Sequence, residues 1–534
     1  MSKMRTTVIL RKASLKRNKN GNSSSQSKKL CQEQIKEELP RILTGKEAAY
    51  HSFKDLTEIH SFRANLLSWY DKSKRELPWR SMAVTESDLN KRAYAVWVSE
   101  IMLQQTQVAT VINYYNKWMQ RWPTLQDLAK ATVEQVNEMW SGLGYYSRGR
   151  RLHEGAQKVI AEFKGEMPKS AEELQKLLPG VGRYTASAIA SIAFGQVTGI
   201  VDGNAVRVLC RVRAIGADST SPTVFEALWM LANILVEPFR PGDFNQAIME
   251  LGATVCTPKA PLCSECPVQA HCRAYQQVTK EQESVSKMLL SNTLSKISST
   301  PDIEECEHCS LCLPDKESWI SSLGVMNFPR KAAKKPPRTE RTLICVVTRK
   351  RNASDAEEYF LVQRPHVGLL AGMWEFPSIL LEVEMTEKEQ KCAVLDRLTE
   401  LLGSSVAEKN LQYLGEVVHI FSHIHQTYLV YSNSLGSAPI DTVKLGETKC
   451  PPFRWVTKSE FQQSAVSTAM KKVLRLSSHS SMVEKLLDKD DKRVRGSEKN
   501  RKEQKGRKHK APAEHGGRQL SMDSFFRPTV KEPL

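Results

Sequence analysis

Two glycines and an aspartate stand where they could grip a phosphate and face a developing positive charge. Leu178-Pro179-Gly180-Val181-Gly182 reads as a tight hairpin between two helices, because glycine supplies a turn without Cβ and lets backbone N–H groups approach a ligand. The run Tyr184 to Phe194, rich in Ala, Ile and Ser, opens as a helix whose N-terminus points at that turn. Free N–H groups and the positive end of the helix dipole make an anion site, which a DNA phosphate fits. Asp202, in Val201-Asp202-Gly203-Asn204, follows where that helix has ended and the next, Ala205 to Val212, begins. The second helix's N-terminus is expected to hold the carboxylate ionised. A phosphate grip beside a fixed negative charge suits cleavage of a sugar bond through a cationic intermediate. Taken singly, Gly-x-Gly turns are common and an aspartate before a helix is an ordinary cap.

The neighbouring residues shift that balance. Cys256, Cys263, Cys266 and Cys272 are spaced C-x6-C-x2-C-x5-C, and four thiols that close can hold a metal centre. Spacing alone leaves zinc open beside iron–sulfur. Glu100 is embedded in an apolar helix, Val96-Trp97-Val98-Ser99-Glu100-Ile101-Met102-Leu103. There it is either a glutamate of the polar face or a carboxyl kept for chemistry.

These residues need elements to hold them. A chain of 534 residues is too long for one core, so two domains plus tails are expected. The net charge of +18 favours a polyanionic partner, although part of it sits in a tail. Twelve cysteines in clusters, with no secretory signal, fit a reducing compartment and metal ligation better than disulfides. No apolar run is long enough to span a membrane. Residues 1–50 read as a basic, disordered arm; Met1 to Lys29 holds no acidic residue, so it is a mitochondrial presequence or simply such an arm. Residues 51–275 form a helical domain, with Phe62, Leu66, Leu67 and Tyr70 at helical spacing. Residues 276–338 are a linker rich in Ser, Lys and Glu. Residues 339–478 turn to β texture, with Leu343–Val347, Phe360–Val362 and Thr427–Tyr431 as strands and a helix at Glu387–Leu402. Residues 479–534 are a basic tail without a core.

The hairpin, Asp202 and the cysteine spacing together resemble the helix-hairpin-helix DNA glycosylases of the endonuclease III type. The string Val96 to Thr106, with Gly142-Leu143-Gly144-Tyr145-Tyr146-Ser147-Arg148, resembles more narrowly the adenine DNA glycosylases of the MutY type. Phe421-Ser422-His423 in the β region matches the same family. The resemblance implies a multidomain fold: an all-α glycosylase domain with a [4Fe–4S] loop, and an α+β Nudix-like domain that reads 8-oxoguanine. It implies excision of adenine mispaired with 8-oxoguanine, or with guanine, in base excision repair of double-stranded DNA.

Roles then carry over by position. Adenine leaves poorly as an anion, so its N7 must be protonated as the bond to C1′ breaks. Glu100 matches that acid, and apolar neighbours would raise its pKa. Asp202 matches the residue that stabilises the oxocarbenium ion and traps it covalently before water attacks, a division of labour that parallels glycoside hydrolysis. Asn204 matches the support of that aspartate, and Tyr184 a buttress of the same site. Bifunctional relatives carry a lysine at the position of Tyr184, whose amine forms a Schiff base and drives strand cleavage. Base removal without an efficient lyase step is therefore expected, with a bifunctional glycosylase/lyase as the alternative; Arg183 cannot substitute, being always protonated. Flipping the adenine costs a few kcal/mol. Gln105 and Tyr145 match the residues inserted into the gap, Leu103 and Val108 line the base pocket, and Gln246 meets the adenine edge.

The β domain lacks the acidic box of a Nudix hydrolase: only Glu400 falls where a magnesium ligand would be, and Leu401 replaces the next. Its fold is expected to be kept for recognition, through Phe421, Ser422 and His423. Mammalian members hold zinc with three linker cysteines and one histidine, matched by Cys306, Cys309, Cys312 and His51. Here Cys306 and Cys309 stand only C-x2-C apart, closer than in the family, and His308 could replace a ligand. Gln519 to Phe526 resembles a sliding-clamp (PCNA) binding box, and the linker is open to other repair proteins. Arg501 to Lys510 is basic enough for nuclear import or for added DNA affinity. A monomer in nucleus and mitochondrion is expected. A catalytically silent lesion binder and a Nudix-type hydrolase are the competing classes; intact Glu100 and Asp202 oppose the first, and the broken box the second.

Overall fold

The computed structural model describes residues 50–291, 309–313, 319–329, 336–350, 355–404, 406–421, 423–435 and 451–479. The helical part comprises α1 (Leu56–Ser73), α2 (Pro78–Thr85), α3 (Leu89–Leu103), α4 (Val108–Arg121), α5 (Leu125–Lys130), α6 (Val133–Trp140), α7 (Ser147–Phe163), α8 (Ala171–Leu177), α9 (Arg183–Phe194), α10 (Gly203–Val212), α11 (Pro222–Leu235), α12 (Pro241–Thr254) and α13 (Arg273–Ser291). Capping boxes start α5, α6 and α8, each satisfying otherwise orphaned N–H groups. Two cores form. One gathers Trp97, Trp118, Trp140 and Ile189 from α3, α4, α6 and α9. The other gathers Phe62, Leu209, Trp229 and Phe244 from α1, α10, α11 and α12.

Helix α3 is buried on every side from Ala93 to Met102 and lies against α9. A helix apolar all round belongs inside a core, which leaves Glu100 no polar face to occupy. The expected hairpin is present: α8 ends at Leu177, Gly180 takes φ +75°, and α9 begins after Gly182.

The β part holds β1 (Arg338–Arg349), β2 (Glu358–Gln363), β3 (Trp374–Glu375), β4 (Ser378–Leu381), α14 (Glu387–Leu402), β5 (Leu411–Ile420), β6 (Ile424–Ser434), β7 (Phe453–Thr457) and α15 (Lys458–Gln463). Its strands form one mixed sheet in the order β3-β2-β1-β6-β5, with β4 pairing β1 and β7 pairing β2. The β1–β6 pair is parallel, from Arg338 opposite Ile424 to Thr348 opposite Ser434. Val394, Leu398, Leu401 and Leu402 of α14 pack on Leu343, Cys345 and Phe360 of the sheet. Leu401 is therefore a core residue, while Glu400 pairs with Arg397 at the surface. The helix serves packing where a hydrolase would gather magnesium.

One expectation fails in physical detail. The linker proposed from residue 276 is helical at its start, because α13 runs from Arg273 to Ser291 straight through the expected 275/276 division. Ala274, Tyr275 and Val278 place apolar side chains against Val325, Phe328 and Trp319, so polar composition concealed a helix with one buried face. The described residues through Leu474 pack as one unit. No described helix is long and apolar enough to cross a membrane.

Candidate active site

Glu100 and Asp202 line one cavity of about 530 Å³. Leu103, Gln105, Val108, Tyr184, Asn204 and Gln246 line it too, so eight of the residues singled out from sequence meet there. α3 and α9 supply one wall; the N-terminus of α10 and the face of α12 supply the other.

Glu100 is buried, and the Tyr184 hydroxyl donates to its Oε2 at 2.6 Å. Burial pushes the carboxyl up to about 7; the Tyr184 bond and Arg80 pull down, and Asp202 pushes up. A carboxyl with that pKa still carries a proton near neutrality and can give it away. Tyr184 thus holds the Glu100 carboxyl directly.

Asp202 caps α10, its Oδ1 accepting from the Ala205 N–H at 2.7 Å while Oδ2 accepts from Asn204 Nδ2 at 3.0 Å. Arg207 Nη2 donates in turn to Asn204 Oδ1 at 2.8 Å. The cap is where the sequence put it, but its electrical consequence needs correcting. Burial lifts the Asp202 carboxyl above the ordinary aspartate value, outweighing the bonds from Ala205 and Asn204. The helix N-terminus alone does not set its charge.

Gln246 lines the cavity, yet its Nε2 turns to the Gly242 carbonyl of its own helix at 3.3 Å. The polar end of the pocket is instead Glu250, whose carboxylate takes Arg75 Nε at 2.6 Å, Arg75 Nη2 at 2.9 Å and Arg80 Nη2 at 2.8 Å. Burial alone would raise Glu250; the arginine bonds overrule it and leave the carboxyl below its ordinary value. Sequence reading missed this triad. Its available signal was Glu250 four residues after Gln246, on the same helix face.

A second cavity of about 440 Å³ holds Tyr145 and Tyr146 on the helical side and Phe421 and His423 on the β side. His419 meets Phe421 edge-on at 4.6 Å. Ser422 lies outside the described residues. Gln105 and Tyr145, both matched to inserted residues, have positive φ of 55° and 48°. Such backbone is costly for residues with a Cβ, and it concentrates at functional sites. Arg148 holds both turns: its guanidinium donates to the carbonyls of Ile101, Met102 and Gln104 leading into the first, and of Leu143 and Gly144 in the second. The motif contained this arginine, but nothing in the spacing revealed that its partners lie on two turns.

Gly180 and Gly182 lie outside both cavities. A Cβ on Gly180 would sit 2.8 Å from Arg151 Cδ, whereas one on Gly182 would meet open space. Gly182 caps α9 without a side chain, leaving first-turn N–H groups free to meet an anion. Arg183 turns away to Glu226 at 2.7 Å and stacks on Trp229.

Cys256, Cys263, Cys266 and Cys272 line one apolar cavity with Val208, Leu251 and Val268. Burial pushes Cys266 up to about 11 and Cys272 up to about 12, so thiolates there need a cation beside them. Four convergent sulfurs in an apolar shell fit an iron–sulfur centre. Elsewhere His51, Cys309 and Cys312 bring ligand atoms within 4.8 Å of one another. His51 donates through Nδ1 to the Arg213 carbonyl at 2.8 Å, and its Nε2 stands 3.2 Å from Cys312 Sγ. Burial lowers His51 to about 4, so the ring is neutral and able to ligate. Cys306 and His308 lie outside the described residues.

Comparison with known proteins agrees with this geometry. Residues 98–233 match the HhH-GPD superfamily of base excision DNA repair proteins. Residues 351–476 match the NUDIX domain. The adenine DNA glycosylase of Homo sapiens is 58% identical over 440 residues, 82% of this chain and 77% of that protein. The Mus musculus enzyme of that name is 57% identical over 85% of each chain, and the Schizosaccharomyces pombe enzyme 40% identical over 77% of this chain and 88% of its own. With two carboxyls meeting in one cavity and likeness of this extent, the chain belongs to the adenine DNA glycosylase family.

Proposed function

We propose that this protein removes adenine opposite 8-oxoguanine, or opposite guanine, from double-stranded DNA without cutting the strand. The observation that carries the reading is the meeting of two differently supported carboxyls, the buried Glu100 and the half-buried Asp202, in one cavity. Glu100, protonated near neutrality, gives its proton to N7 of the flipped adenine. The C1′–N9 bond breaks with its electron pair passing to the base, and the sugar is left as an oxocarbenium ion. Asp202, aligned by Asn204 and Ala205, faces that cation and bonds to C1′. Water then gives a proton to the Glu100 carboxylate and displaces Asp202 from C1′ with the ester bond's electron pair returning to the carboxylate, which leaves an abasic site. Arg75, Glu250 and Arg80 offer the base a charged edge, while Leu103 and Val108 offer it an apolar face.

Position 184 is tyrosine, and no lysine lines the cavity among the described residues. A Schiff base needs an amine there, which argues against a lyase. Cys256, Cys263, Cys266 and Cys272 would hold a [4Fe–4S] cluster, which would cross-link the loop after α12 beside Val208 and Arg211 of α10. His51, Cys309 and Cys312 would hold zinc with Cys306 as the fourth ligand. Phe421 and His423, with Ser422 between them, would read the lesion from the second cavity. The Gln519–Phe526 segment would bind a sliding clamp, and the basic termini would direct a monomer to nucleus and mitochondrion; both termini lie outside the described residues.

A single-turnover assay on duplex carrying one adenine opposite 8-oxoguanine, split with and without alkali, tests the reading. Breaks only after alkali are expected from wild type, and none from Asp202→Asn. Equal breaks without alkali would establish a lyase. Tight lesion binding with no adenine loss would establish a silent binder.

A further inference from the structure

The β part meets the helical part beside the turn that carries Tyr145. Glu134 in the first turn of α6 receives two donors from the β part on the same Oε1: Trp374 Nε1 at 3.0 Å and Arg454 Nη1 at 3.0 Å. The Arg454 guanidinium lies 4.1 Å above the Trp374 ring, so one carboxylate fixes both groups of a stack. Nε and Nη2 of Arg454 are buried with no hydrogen-bond partner, so Glu134 is the carboxylate hydrogen-bonded to it, with Glu138 and Glu460 near enough to feel its charge. At the other end of α6, Ser141 donates its hydroxyl to the Val466 carbonyl at 2.9 Å and accepts from Lys471 Nζ at 3.2 Å. Between these ties Met373 joins the helical core, with Leu370 packed against it.

Both ties adjoin the walls of the second cavity. Leu370 and Ala371 line it a few residues before Trp374, and Ser467 and Thr468 line it directly after Val466. On the helical side Gly144, Tyr145 and Tyr146 line it just after Ser141. We propose that Glu134 and Ser141 are positioning residues that hold the β part in register with the Tyr145 turn, and so couple the identity of the opposing base to adenine excision. Neither lines the excision cavity. Losing them moves Phe421 and His423 relative to Tyr145 while Glu100 and Asp202 keep their partners. Small misplacements of this kind are expensive in rate. The inference rests on the lesion-reading role proposed above for the second cavity.

The test compares full-length wild type, Glu134→Ala, Glu134→Gln and Ser141→Ala by single-turnover excision of adenine opposite 8-oxoguanine and opposite guanine. Hydrogen exchange of the Leu370–Glu375 amides is measured on the same proteins without DNA. The expected result is a loss of about threefold to tenfold in the preference for the 8-oxoguanine pair in Glu134→Ala, with the guanine-pair rate unchanged. Exchange at Leu370–Glu375 should quicken in the same variant. Ser141→Ala should show a smaller loss of the same kind, and Glu134→Gln, which keeps the accepting oxygen, should retain most of the preference. A preference kept intact in Glu134→Ala, or a guanine-pair rate falling in step, would overturn the coupling. Wild type that shows no preference would overturn the lesion reading itself and the coupling with it, even if exchange still quickened.

Discussion

The two cavities are built on opposite principles. In the excision cavity the polar groups are already engaged: Tyr184 with Glu100, Asn204 with Asp202, Arg75 and Arg80 with Glu250. The second cavity is lined mainly by rings and small residues, among them Tyr145, Tyr146, Phe421 and His423. His419 beside them buries an Nδ1 that has no hydrogen-bond partner. Chemistry on a charge-developing bond rewards dipoles set in advance, whereas reading a base rewards flat surfaces that the base completes by stacking. Damage to the first cavity should therefore appear in the rate of bond breaking, and damage to the second in discrimination between mispairs.

The sharpest way to break that contrast is at Asp202. Asp202→Asn keeps the size and an accepting oxygen for Ala205 but loses the charge facing the sugar, so single-turnover excision should fall by about 10³-fold or more. Binding of the lesion duplex should persist. If excision survived within tenfold, the carboxylate would not be facing the cation.

Arg148 should cross the boundary between the cavities, because it holds the turns of both Gln105 and Tyr145. Its burial pushes the guanidinium down to about 10, and removing it strands several carbonyls at once. Arg148→Ala is expected to lower excision opposite both 8-oxoguanine and guanine by about 10²-fold, the size of effect that misplacement carries. Arg148→Lys should recover little of this, since an ammonium cannot span the fork of acceptors. Loss on only one mispair would show that a single turn depends on it.

Phe421→Ala addresses the second cavity alone. It should cost about tenfold in preference for the 8-oxoguanine pair, the scale of one lost stacking contact, with little change opposite guanine. An equal fall on both mispairs would make Phe421 part of the general DNA grip.

Much of this was legible from residue types. The hairpin, the Asp202 cap and the glutamate within α3 stand where spacing placed them, because turns and caps are local and glycine, proline and aspartate mark them. What stayed hidden was long-range. Glu250 meets Arg75 across 175 residues, and Arg148 joins the turns at Gln105 and Tyr145, forty residues apart. The α13 helix hid for a different reason: its exposed face is so polar that composition read it as linker. The upward shift of the Asp202 carboxyl stayed hidden because the cap can be read from sequence and its burial cannot.

The smallest effect probes how finely the excision cavity is set. Glu100 holds its proton up to about pH 7, so the excision rate should fall about tenfold per pH unit above that value, and should hold below it only while Asp202, whose pKa burial raises, stays ionised. Tyr184 donates to the carboxylate, which favours the ionised form and holds the pKa down. Tyr184→Phe removes that donor, so the acid should keep its proton to higher pH and the falling limb should move upward. Near pH 8 the variant would then lose little, because a larger fraction of its acid is protonated. Near pH 6, where both proteins are protonated, only the lost alignment of the carboxyl remains, and the rate should fall a few-fold. A limb that moved downward would mean that Tyr184 steadies the protonated acid, with the phenol oxygen accepting from it. An unmoved limb would show that the Tyr184 bond does not set the titration of the proton donor.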